Sequence, residues 1–172
     1  MSIHPAMLSP MIVEYNPYTL TIHQTRKHVK ITMELFIPIV NTNTLPKTHK
    51  ILKKMLPSVL ITECFNEQNI PFIEEVKHTE IGHLFEHILL ENLCMLKIAD
   101  GKSSATFRGR THWNWKKDKK GIFHIIVSAG KKDAHLLPDA LDQTIQLTNH
   151  ILESDQIPSS LPLDKNQFFA TA

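Results

Sequence analysis

Ile81-Gly82-His83-Leu84-Phe85-Glu86-His87-Ile88-Leu89-Leu90-Glu91-Asn92-Leu93 is the stretch whose periodicity decides the fold. Wound at 100° per residue, the segment 80–97 places Ile81, Leu84, Phe85, Ile88, Leu89, Leu93, Met95 and Leu96 on one half of a helix. The other half carries His83, Glu86, His87, Glu91 and Cys94, with Glu80 and Lys97 at its ends. Thr79 reads as the N-cap and Asp100-Gly101 as the exit. Histidines at i and i+4 stand one above the other, so both imidazoles can reach one divalent ion. Glu86 beside them can take a proton from water polarised by that ion and later deliver it to a leaving amine. The order His-x-x-Glu-His is the inverted form of the zincin motif.

Outward from this helix, residues 11–20 and 28–40 are rich in β-branched and aromatic side chains and read as two strands joined through a polar turn at 24–27. Pro46 opens a helix reaching toward residue 66, which Pro57 should break or kink. Residues 68–79 form a connector interrupted by Pro71. Segments 103–115 and 121–129 read as an antiparallel pair across the turn 116–121. A last helix over 134–153 presents Leu137, Leu141, Ile145 and Ile151 as its apolar stripe. The expected class is therefore α+β, an antiparallel sheet of two hairpins with helices on one face, in the order β-β-α-α-β-β-α. Residues 1–154 make one domain, and residues 155–172, with Pro158 and Pro162, read as a flexible C-terminal tail.

The chain's 172 residues are enough to bury a core without a structural metal, which leaves any metal free to be catalytic. With 19 basic against 17 acidic residues, charge gives no reason to expect nucleic acid. The one segment with a foothold for it is 108–120, where Trp113 and Trp115 lie among basic residues, and a solvated turn is the simpler reading. Cys64 and Cys94 form neither a disulfide framework nor a CxxC knuckle and read as small core residues. Neither a signal-peptide pattern nor a membrane-length apolar run is present, so the expected location is the cytoplasm, without membrane association.

The run 82–91, with Gly109-Arg110-Thr111 and the strand Gly121-Ile122-Phe123-His124-Ile125-Ile126-Val127 downstream, resembles the N-terminal domain of cyanophycin synthetase, where a Gly-His-x-x-Glu-His helix continues four residues later with Glu. The resemblance covers residues 78–153 closely and the first 77 in element order. It implies a metal-dependent peptidase-like site, one zinc per chain, and peptide or isopeptide substrates such as poly-aspartate bearing arginine branches. The polymerising portions of the synthetase have no room in this length. By the same resemblance His83, His87 and Glu91 would hold the metal, although Glu91 lies eight residues from His83, ~12 Å along a straight helix. More distantly the chain is similar to pitrilysin-type inverted zincins, whose third ligand is a Glu on a later helix; here Asp139, Asp142 and Glu153 are the candidates. Neither cysteine lies downstream of the motif, where S-ribosylhomocysteinase-type enzymes carry their reactive cysteine.

Arg110, and secondarily Arg108, could clamp a substrate carboxylate, and His78, His112 or His124 could add a ligand. Two function classes remain: a zinc hydrolase with Glu86 as base, and a non-catalytic peptide-binding module that kept the cleft. Mn²⁺ or Fe²⁺ would suit a two-His, one-carboxylate site as well as zinc. The expected partner is a peptide-like substrate, and assembly into a homo-oligomer is left open.

Overall fold

The computed structural model describes residues 10–64 and 70–154. The flexible tail expected over 155–172 and the end of the helix expected to reach residue 66 lie outside them. A five-stranded antiparallel sheet carries the helices on one face. Its strands are β1 (Met11–Tyr15), β2 (Tyr18–Gln24), β3 (Val29–Leu35), β4 (Gly109–His112) and β5 (Ile122–Val127), in the spatial order β1-β2-β3-β5-β4. Alternation along β3 sets the layering: Val29, Ile31, Met33 and Leu35 are buried, whereas Lys30 is exposed and Thr32 and Glu34 are half-buried. β5 repeats the pattern with Phe123, Ile125 and Val127 inward.

The α+β class holds, with one more strand than expected. Residues 11–20 are not a single strand, because Asn16-Pro17 turns the chain back on itself and pairs Tyr15 with Tyr18. Continuous β-branched and aromatic composition hid a turn dipeptide that the sequence does contain. The polar turn at 25–28 joins β2 to β3 as expected, closed by the Thr25 hydroxyl donating to the His28 carbonyl at 2.8 Å.

The helices are α1 (Thr48–Met55), the single turn α2 (Phe72–Glu75), α3 (Ile81–Ala99) and α4 (Leu137–Ser154). Pro57 ends α1, and the chain continues as a 3-10 turn, Pro57–Ile61. A second 3-10 segment, Lys131–Leu136, leads into α4. α3 leaves through Gly101, whose φ of 85° is easiest for a residue without Cβ.

α3 is the central element. Its apolar half is buried as the periodicity predicts as far as Leu93, whereas Leu96 is partly buried and Met95 half exposed. Its polar half is buried as well over the first turns: Gly82, Glu86 and His87 are nearly inaccessible. Phe72 of α2 accounts for part of this, buried and stacked on the His87 ring at 3.8 Å. Thr79 precedes the N-cap, which is Glu80, and makes no capping bond. Among the described residues no helix is long and apolar enough to cross a membrane.

Gly82 is where α3 meets the sheet: a Cβ built there would lie 2.6 Å from Phe123 Cβ and closer still to the ring. Gly82→Ala gains about 1 kcal/mol of helix propensity, but the overpacked contact should cost more, about 1–3 kcal/mol. We expect a net fall in the urea midpoint of Gly82→Ala; an unchanged or raised midpoint would show that the helix can shift away from β5 freely.

Candidate metal and catalytic site

Four segments build the site. α3 supplies His83, Glu86 and His87; the 57–64 stretch supplies Thr62 and Cys64; α2 supplies Phe72 and Glu75; β4 supplies Gly109 and Thr111. One donor atom from each of Cys64, His83 and His87 lies within 4.8 Å of the other two, a group that could hold a metal ion. The Cys64 sulfur is 3.5 Å from His83 Nε2. Thiolate with two imidazoles is a donor set that zinc accepts.

The outer ring nitrogens decide whether the group fits a cation. His87 Nδ1 is 3.2 Å from the Thr62 hydroxyl, and that hydroxyl donates its own proton to the Val59 carbonyl at 2.7 Å. Thr62 can therefore only accept from His87, which fixes the proton on Nδ1 and leaves the Nε2 lone pair free. His83 Nδ1 faces the Glu75 carboxylate at 3.2 Å and the Thr79 hydroxyl at 2.8 Å, so it too is held as the donor. Both histidines thus have an oriented, unprotonated Nε2, the arrangement that outer partners impose on metal-binding imidazoles. Their protonation is disfavoured besides. Burial holds His83 below its ordinary value, against the opposing pull of Glu75, and burial followed by the neighbouring His83 pushes His87 down to about 3.

Glu86 stands apart from the Cys/His/His group. The Thr111 hydroxyl donates to its Oε2 at 2.5 Å. Gly109 lies so close that a Cβ there would overlap the carboxylate. The glycine of Gly109-Arg110-Thr111 makes room for the carboxyl, and the threonine holds it. Burial raises the Glu86 carboxyl to about 7, with the Thr111 hydrogen bond opposing. That is the range in which a carboxylate exchanges protons efficiently near neutral pH.

Of the residues singled out in the sequence, His83, Glu86 and His87 come together. Glu91, half-buried two turns along α3, is not part of the group, and Cys64 stands where Glu91 was expected. The eight-residue separation from His83 is the physical reason. Cys64 does pack against the edge of the core, but its thiol also donates to Glu75 Oε2 at 3.1 Å. Asp139, Asp142 and Glu153 on α4 do not join the group either.

Arg110 is exposed and, by strand alternation, on the face of β4 opposite to Gly109 and Thr111; Arg108, also exposed, precedes the strand. His112 and His124 stack at 5.1 Å on that same outer face, His124 against Asp118 at 3.1 Å, and His78 meets Asn43. Trp113 and Trp115 close on the Phe123 ring at 5.9 and 5.7 Å. Sequence reasoning missed Cys64, Glu75, Thr62 and Thr79 as partners of the histidines. Only Thr79 carried a signal, one helical turn before His83 on the same face.

The raised Glu86 carboxyl makes a stability prediction for metal-free protein. Its folded value, about 7, lies above the ordinary 4.5, so its stabilising contribution is full below 4.5 and is lost as pH rises through 7. Glu86→Gln removes that titration. We expect the variant's gain over the unaltered protein in urea unfolding to grow by about 1–3 kcal/mol from pH 5 to pH 8; a gain that is flat across that window would mean the carboxyl ionises without hindrance.

No curated protein matches the chain. A family model, the cyanophycin synthase-like N-terminal domain, matches residues 29–153, from the start of β3 almost to the end of α4, and so includes every residue of the site just described. That span is well over half of the 172 residues, and the chain belongs to the cyanophycin synthase-like N-terminal domain family.

Proposed function

We propose that this domain is a metal-dependent hydrolase of peptide or isopeptide amide bonds, with Cys64, His83 and His87 holding the metal and Glu86 as general base. The observation that carries the reading is the division of labour on α3. The two imidazoles have Nδ1 protons committed to Thr62, Thr79 and Glu75, while the carboxylate between them in sequence is held separately by Thr111. When bound, the metal supplies Lewis-acid polarisation of the amide carbonyl and acidifies the attacking water. Glu86 takes the water's proton, retains it on a carboxyl whose neutral form burial favours, and returns it to the leaving nitrogen. A module kept only for binding would have no use for a buried carboxyl that destabilises the fold once ionised. A thiolate in the donor set favours zinc over Mn²⁺. Because the family is described by its likeness to cyanophycin synthase, poly-aspartate with arginine branches is the first substrate to test.

Protein purified without chelator or nickel resin should carry about one equivalent of zinc by elemental analysis, and His83→Ala, His87→Ala and Cys64→Ser should each lower the metal content sharply. Metal content unchanged in Cys64→Ser alone would return the third position to an acidic residue, and unchanged content in all three would end the metal reading. Glu86→Gln should keep its metal and lose about 10²-fold or more of the hydrolysis rate. A loss of less than about tenfold would remove Glu86 from the role of base.

A further inference from the structure

The site sits beside a sheet edge whose backbone, among the described residues, has no hydrogen-bond partner at the positions that touch Glu86. β4 is the last strand of the sheet, paired only with β5. Just before it, the Ser128 N–H donates to the Arg108 carbonyl at 2.8 Å, and the Arg108 N–H turns to the same residue, donating to Ser128 Oγ. In an antiparallel ladder the inward-bonded residues alternate. Arg108, Arg110 and His112 therefore direct their backbone groups toward β5, and Gly109 and Thr111 direct theirs outward. Among the described residues nothing bonds to those outward groups.

These are the same two residues whose other atoms meet Glu86, through the bare Cα of Gly109 and the hydroxyl of Thr111. The outward edge and the base are thus fixed to one another by a four-residue strand.

We propose that substrate binds as an extended peptide added to the sheet along β4, its main chain hydrogen-bonded to the N–H and C=O of Gly109 and Thr111, with an acidic side chain favoured opposite Arg110. The proposal rests on the hydrolase reading and adds to it how the substrate is held. Main-chain pairing supplies affinity that tolerates many sequences, and side chains alternate between the two faces of the sheet. The substrate residue opposite Arg110 projects to the outer face with it, where opposite charges across neighbouring strands attract. Arg110, though turned away from Glu86, thereby acquires a role in selecting substrate. A chain bound here pairs with the strand whose inner face meets the Glu86 carboxylate at Gly109 and Thr111.

The test uses zinc-loaded, ¹⁵N-labelled Glu86→Gln protein, which should hold peptide without cutting it. The probe is a capped random hexapeptide pool, set against the same pool made with N-methylated amides. With the edge about nine-tenths occupied, amide exchange at Gly109 and Thr111 should slow about tenfold, while the already bonded Arg110 and His112 amides change little. The N-methylated pool should give no protection. Absence of protection at Gly109 and Thr111, or equal protection by both pools, would overturn the proposal. A pool with Asp at alternate positions should protect more strongly than one with Lys there, and Arg110→Ala should level the two; equal protection by these pools in protein that keeps Arg110 would refute the side-chain part. Hydrolysis of the random pool by unaltered protein is followed alongside. Cleavage without edge protection leaves the hydrolase reading standing and sinks this inference, whereas edge protection without cleavage does the reverse.

Discussion

The burial of α3 on both of its faces is the constraint on which the rest of the molecule depends. An amphipathic helix at a sheet surface ordinarily turns its polar side to water. Here the first turns of the polar side are enclosed, and each titratable group must find a partner inside the protein or give up its charge. Burial disfavours charge on all three groups: it pushes His87 down beneath Phe72, lowers His83 against the pull of Glu75, and raises Glu86 against the hydrogen bond from Thr111. Enclosure therefore produces both the oriented imidazoles and the reluctant carboxyl.

The sheet serves the same end through two glycines. Gly82 lets α3 lie against Phe123, and Gly109 lets β4 lie against Glu86, so helix and edge strand approach more closely than residues with a Cβ would permit. The Thr111 hydroxyl, near the Gly82 carbonyl at 3.4 Å as well as bonded to Glu86, ties the edge strand to the start of the helix. The Gly-Arg-Thr triplet thus has a steric part, a hydrogen-bonding part, and, in Arg110, a residue facing the other way.

Local periodicity made α3, the β2–β3 turn, the β4–β5 pairing and the Asp100-Gly101 exit legible, because each is governed by spacing within a few residues. The histidine pair and Glu86 were legible for the same reason. The hairpin at Asn16-Pro17 was missed because composition was read across a two-residue turn. Cys64 and Glu75 were not legible at all: they reach His83 through a broken helix and a single helical turn, and no sequence spacing records where such segments fold over. Glu91 shares the helix with the histidines but lies outside the group with Cys64, which is gathered by proximity in space and not by spacing along the helix.

The way β3 and β5 pair has a consequence for how the protein is made. Met33 and Phe123 are cross-strand neighbours about ninety residues apart, and the chain between them contains α1, α2, α3 and β4. Pairing these strands carries the entropic cost of closing that long loop, and every residue of the site lies within it. Pairing of β3 with β5 therefore closes a loop that carries the whole site. A ribosome that has released the chain only as far as α3 has exposed all three candidate ligands without the strand that completes their surroundings.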